Sequence, residues 1–159
     1  MAYINKIVVN GSEVNANQLE GILDKDGHQR FIEGNGTNGE HSGISYDYSK
    51  WSLSGSHLML VLAGTIDANA LLPDNVALTS FELPEWIRNK IYTVAGYQVI
   101  EAKEISVWIS GTISEAYKEQ ILLQKTSTGV LIAKATRTQT ASESECKFRI
   151  QFDLLIDNA

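Results

Sequence analysis

The residues best equipped for chemistry lie between positions 41 and 51. Tyr46, Tyr48 and Trp51 fall within six positions, with Asp47 and Lys50 between them and His41 just before. Aromatic faces stack on the apolar faces of sugar rings, while neighbouring carboxylates and amides take the hydroxyls. On a regular strand Tyr46 and Tyr48 point to the same side. This spacing predicts a saccharide contact made by Tyr46, Asp47, Tyr48, Trp51 and His41, with Trp86 and Trp108 as reserve positions. The competing reading places the same aromatics in the core or between subunits. Trp108 alternates against Ile105, Val107 and Ile109, so it is expected on the outer side of its strand, facing solvent or a partner.

No catalytic constellation accompanies this cluster. Gly34, Gly36 and Gly39 spell G-x-G-x-x-G, but the strand-like Ile44-Ser45-Tyr46-Asp47-Tyr48 follows where a dinucleotide fold requires a helix. A flexible glycine loop is expected there instead. Asp24, Asp26 and Gly27 resemble the start of a calcium loop, yet Gln29 and Asn35 occupy the places that need glycine and a bidentate glutamate. A tight turn accounts for them. His28, His41 and His57 share no metal-ligand spacing, and no G-x-S-x-G elbow lifts a serine into a nucleophile. The carboxylate pairs Glu101/Glu104 and Glu143/Glu145 carry no sign of converging across a glycosidic bond. Cys146 sits in the apolar register of a strand, where a thiol packs and stays inert. The expectation is a protein without enzyme activity, cofactor or metal.

Charge narrows the partners. The 159 residues hold 13 Lys and Arg against 19 Asp and Glu, a net charge of −6, and no basic stripe is visible. That balance argues against nucleic acid as a partner. The longest apolar run, Leu58 to Ala63, is too short to span a bilayer, so membrane insertion is not expected. No secretory leader pattern opens the chain, which predicts synthesis and assembly in a cytoplasm.

The elements that position these residues are strands. Cys146, Phe148, Ile150, Phe152, Leu154 and Ile156 alternate with Lys147, Arg149, Gln151 and Asp153, the pattern of a strand with one wet face. Leu58 to Leu62 reads as a strand buried on both sides. Asn10-Gly11 marks a turn, and Ser127-Thr128-Gly129 joins two apolar runs as a hairpin loop. Helical character is confined to Asn15–Leu23 and to Pro84–Lys90, where Pro and Glu lead and Lys follows. The fold class is therefore all-β: an antiparallel β-sandwich or jelly-roll-like domain with one or two short helices. The glycine-rich stretch 34–43 divides a small N-terminal attachment segment, residues 1–40, from a β-sandwich head domain, residues 41–159. A large aromatic on a wet strand face, together with open sheet edges, points to a homo-oligomer.

Four stretches carry a family likeness: Ser56–Ile66, Thr79–Ile87 with its strand running through Pro84 into a helical turn, Tyr92–Tyr97, and the hairpin Ile121–Ile132. From Trp51 onward the chain resembles the head domains of baseplate or tail receptor-binding proteins of long-tailed phages of Gram-positive bacteria, or of phage-tail-like bacteriocins. The resemblance implies an antiparallel β head that forms homotrimers in the virion, contacts other tail or baseplate proteins, and adsorbs to host cell-wall glycan without cleaving it. A purely structural tail or baseplate protein whose aromatics form subunit contacts is the first alternative, and a glycan-degrading tail hydrolase the second. The strand over 145–157 extends past the point where such heads tend to stop, and no heptad stem precedes the head.

Overall fold

The computed structural model describes residues 6–9, 11–15, 23–24, 26–93, 98–109, 117–136, 141 and 143–156, with backbone alone for 6–9, 12–15, 106–109 and 117. Strands β1 (Lys6–Val9) and β2 (Ser12–Asn15) pair with Val9 opposite Ser12, and Gly11 takes φ +79°, as a tight connection requires. Asn15 thus ends a strand. Leu23 bridges Gln29, and most of the helical segment expected over Asn15–Leu23 lies outside the described residues.

The remaining strands are β3 (Phe31–Asn35), β4 (Thr37–Asn38), β5 (Ile44–Ser54), β6 (His57–Ile66), β7 (Ala77–Glu82), β8 (Val99–Ile109), β9 (Tyr117–Lys125), β10 (Gly129–Lys134) and β11 (Cys146–Leu155). Helix α1 is the single turn Glu85–Arg88, entered from Pro84. All named strand pairs are antiparallel, in the order β3-β5-β6-β11-β8-β9-β10-β7-β4. Two layers result, an all-β sandwich. One layer is β3-β5-β6-β11 and the end of β8; the other is the rest of β8 with β9, β10, β7 and β4.

Two corners connect the layers. At one, β8 pairs with β9 over most of its length and with β11 only at Ile109 and Trp108. At the other, Gly36 separates β3, which pairs with β5, from β4, which pairs with β7. The two ends of the strand order are therefore joined covalently through one glycine. Gly36 N–H donates to the Ser49 carbonyl at 3.0 Å. The Ser49 hydroxyl donates to Thr79 Oγ1 at 2.8 Å, and the Thr79 hydroxyl donates to the Thr37 carbonyl at 3.2 Å. A methyl group at Gly36 would collide with the Ser49 hydroxyl and lie 2.7 Å from Thr79 Oγ1 and 2.8 Å from the Phe81 ring. The glycine-rich stretch is thus a packed corner rather than a flexible loop. Residues 31–38 pair inside the sandwich, so a division at residue 40 falls within a continuous hydrogen-bonded region.

The core lies between the layers. Leu58, Leu60 and Leu62 of β6, Phe148, Ile150 and Phe152 of β11, and Ile121, Leu123, Val130 and Ile132 of β9 and β10 are buried. Burying each such side chain contributes about 1.5–3 kcal/mol. β6 alternates at its start, with Met59 exposed, and is buried on both faces from Leu60 to Leu62. The expected alternation of β11 holds through Phe152, with Lys147, Arg149 and Asp153 exposed. Cys146 is buried as expected.

Candidate functional site

Asp47 governs the geometry of the aromatic cluster. In the β5–β6 ladder Tyr46 faces Gly64 and Tyr48 faces Ala63, so Asp47 is an extra residue, a β-bulge. A bulge shifts the side-chain alternation by one. Before it, Ile44 and Tyr46 turn inward; after it, Ser49, Trp51 and Leu53 do so, leaving Asp47, Tyr48 and Lys50 exposed. The expectation that Tyr46 and Tyr48 share a face is therefore corrected.

The candidate residues separate accordingly. Trp51 is 5% exposed and lies over Gly34, its cross-strand partner, so it belongs to the core. Tyr46 packs edge-on to Phe148 and to His41, with both ring centroids at 6.3 Å. Burial pushes its hydroxyl up to about 12, and that hydroxyl finds no hydrogen-bond partner among the described residues. His41 Nε2–H donates to the Ala77 carbonyl at 3.1 Å. Trp86 is half-buried and stacks on His28 at 4.3 Å with the rings nearly parallel, and Lys90 Nζ sits 5.3 Å from the indole. The Trp108 side chain lies outside the described residues; its backbone pairs with Lys147. Of the named aromatics with described side chains, Tyr48 alone presents an exposed ring, at 45%.

Around Tyr48 the ladder sets small residues of β6 between longer ones of β5 and β11. Tyr48 pairs with Ala63, which pairs with Arg149; Lys50 pairs with Val61, which pairs with Gln151. Val61 points outward yet is 3% exposed, so Ala63 is the part of β6 open beside the Tyr48 ring. Lys50 Nζ is 5.6 Å from the Tyr48 ring centroid. Arg149 Nη2 donates to Gln151 Oε1, and Gln151 Nε2 donates to Asp153 Oδ2, both at 3.1 Å, forming a fixed ladder along β11. Strands about 4.8 Å apart put the Tyr48 and Arg149 backbones about 10 Å from one another. Arg149 and Gln151 appear in the sequence as the wet face of β11, but only the pairing through β6 sets them opposite Tyr48.

Two further polar clusters are internal ties. The Asp24 side chain is wholly buried, and its Oδ1 accepts the N–H groups of Asp26 and His28 at 2.9 and 2.8 Å. Oδ2 accepts from His28 Nδ1 at 3.2 Å and lies 3.8 Å from Lys90 Nζ. Burial raises the carboxyl pKa, but the His28 and Asp26 N–H groups and the His28 ring outweigh it, leaving the net value below the usual range. Asp24, Asp26 and His28 lie close enough to hold a cation, with ligand atoms within 4.8 Å. The lysine beside Asp24 opposes one, and the network instead fixes loop 23–29 beneath Trp86.

The second cluster centres on Lys134, 2% exposed, between Asp74 and the buried Glu119, whose Oε2 is 3.6 Å away. Asn75, at φ +56°, donates its N–H to the Lys134 carbonyl at 2.8 Å. These charges are consumed by one another and hold the segment before β7 against the sandwich.

No family model matches the chain, and no curated protein matches it. Among solved structures, the reovirus attachment protein sigma1, in complex with alpha-2,3-sialyllactose, aligns over 96% of this chain and 86% of its own. The TM-score is 0.40 at 9% identity, a likeness too loose to carry any inference about function. Among the described residues, no helix is long and apolar enough to cross a membrane.

Proposed function

We propose that the chain is a non-enzymatic attachment module that binds a surface saccharide through the outer face of β5, β6 and β11. The observation that carries this reading is the exposed Tyr48 ring beside Ala63, with Lys50, Arg149 and Gln151 on the neighbouring positions of β5 and β11. An aromatic platform flanked by fixed hydrogen-bonding groups is the arrangement that sugar rings require. The likeness of residues 51–135 to phage tail and baseplate heads supplies the setting: a virion protein, assembled in the host cytoplasm, working as a homo-oligomer on host cell-wall glycan. Several copies acting together convert weak single contacts into firm adsorption.

Binding of the purified chain to host-wall glycan fragments, compared with Tyr48→Ala, tests the reading. Loss of binding with an unchanged melting temperature is expected, because the ring is exposed. Equal binding by the two proteins refutes the site. Release of new reducing ends from the glycan would establish the hydrolase alternative instead.

A specific observation favours subunit contacts at the other end of the same face. Phe31, Ser54, His57 and Leu155 form one cross-strand row, with Phe31 62% and Leu155 77% exposed. If copies meet there, Phe31→Ser with Leu155→Ser lowers the mass measured by light scattering. A mass unchanged from an oligomeric parent refutes that placement.

A further inference from the structure

On the reading that this face takes a saccharide, we infer that its ligand is acidic: a sugar carrying an anionic substituent next to the ring that stacks on Tyr48. The charges on the outer face of β3, β5, β6 and β11 are banded. Lys50, Arg149 and Lys147 lie in the rows of Val61, Ala63 and Thr65 around Tyr48; Glu33 and Asp153 lie in the row of Met59 on one side, and the exposed Asp67 and Glu145 follow Thr65 and precede Lys147 on the other. Asp47, in the bulge, is the single carboxylate near the aromatic ring along β5. Three cations against one acid, on a chain of net charge −6, run opposite to the molecule as a whole.

The cations are placed for contact. Lys50, Lys147 and Arg149 are all exposed, and none of the described carboxylates forms an ion pair with them. Gln151 holds the Arg149 guanidinium in place, and a planar fork of that kind takes a carboxylate or a phosphate through two parallel hydrogen bonds. The anion would sit over Ala63, between Tyr48 and Arg149. Acids on either side, Asp153 and Glu33 in one direction and Asp67 and Glu145 in the other, would confine the anion to the rows between them.

The test compares four probes by calorimetry on the full chain: a neutral galactose oligomer, a galacturonate oligomer of equal length, a phosphorylated galactose oligomer of equal length, and inorganic polyphosphate. Galacturonate or galactose phosphate is expected to bind about tenfold more tightly than the neutral sugar, and the better of the two identifies the anion. The margin should shrink as salt rises from about 0.05 to about 0.5 M. Arg149→Gln combined with Lys147→Gln should remove the margin, bringing acidic-sugar affinity down to that of the neutral sugar for the same variant, while Tyr48→Ala weakens every sugar probe.

Equal affinity for neutral and acidic sugars overturns the acidic-ligand inference and leaves the saccharide reading standing. Binding of none of the sugar probes overturns both. Polyphosphate binding as tightly as galacturonate, or an acidic preference that survives the double variant, overturns the inference by showing charge without a ring or a site elsewhere.

Discussion

Replacing Tyr46 with phenylalanine tests the bulge directly. The Tyr46 ring is inside, between His41 and Phe148, and its hydroxyl is buried without a partner among the described residues. An unmatched buried hydroxyl costs about 1–3 kcal/mol in desolvation, so Tyr46→Phe should be neutral or stabilising by up to about 1 kcal/mol at pH 8. The ionisation of the hydroxyl gives a second reading. Burial pushes its pKa up to about 12, against about 10 in the unfolded chain. The stability linked to it is intact below pH 10 and drains as pH rises from 10 through 12, because the unfolded chain loses the proton first. At pH 11 the two values correspond to about 1.4 kcal/mol, or about 1 kcal/mol after allowance for partial exposure of the residue. The variant lacks this loss, so its advantage over the parent should widen by that amount between pH 8 and pH 11. Urea unfolding followed by tryptophan fluorescence at the two pH values measures it. A Tyr46→Phe protein less stable than the parent by more than about 1 kcal/mol at pH 8 would refute the inward placement. So would an advantage that stays flat with pH.

Other sites give sharp expectations. Gly36→Ala should destabilise by about 1–3 kcal/mol in urea unfolding, since the methyl enters a corner occupied by Ser49, Thr79 and Phe81; an unchanged midpoint would mean the corner is loose. Asp24→Ala strands two N–H groups and should cost about 2 kcal/mol at pH 7. With its carboxyl pKa held below normal, the parent keeps this contribution above about pH 4 and loses it as pH falls through the folded value, so the two proteins should converge in acid. Lys134→Ala leaves the buried Glu119 beside a missing cation and should cost about 3 kcal/mol or more, while Lys134→Ala with Glu119→Ala recovers part of the loss. A double variant no better than the single one would show that the pair is not coupled.

Much of this fold is legible along the chain. The alternation of β11, the apolar run of β6 and the β9–β10 hairpin are each set by neighbours in sequence, and period-2 patterning reads them directly. The candidate site is legible only in part. Tyr48 and Lys50 are visible as a pair, but the single extra residue at Asp47 reverses the facing of Tyr46, and nothing in the local pattern marks a bulge. Trp51 reads as a platform because its cover, Gly34, belongs to a glycine run whose composition suggests a loop. Those glycines serve close packing, a demand imposed by residues as distant as Thr79 and Phe81. Nothing in the sequence around Lys134 and Glu119 marks them as buried, because the ion pair that buries them joins different strands.

The position of β11 sets a timetable for synthesis. β6 emerges early, yet one of its two edges is completed by a strand made only after β7, β8, β9 and β10. Until then the most apolar strand of the protein offers an unsatisfied row of amides and carbonyls to any neighbouring nascent chain. Folding should therefore be slow, governed by long-range pairing, with its vulnerable interval falling during translation. Slowing the ribosome between the codons for β6 and β11 should lower soluble yield, while the same delay placed after β11 should leave it unchanged.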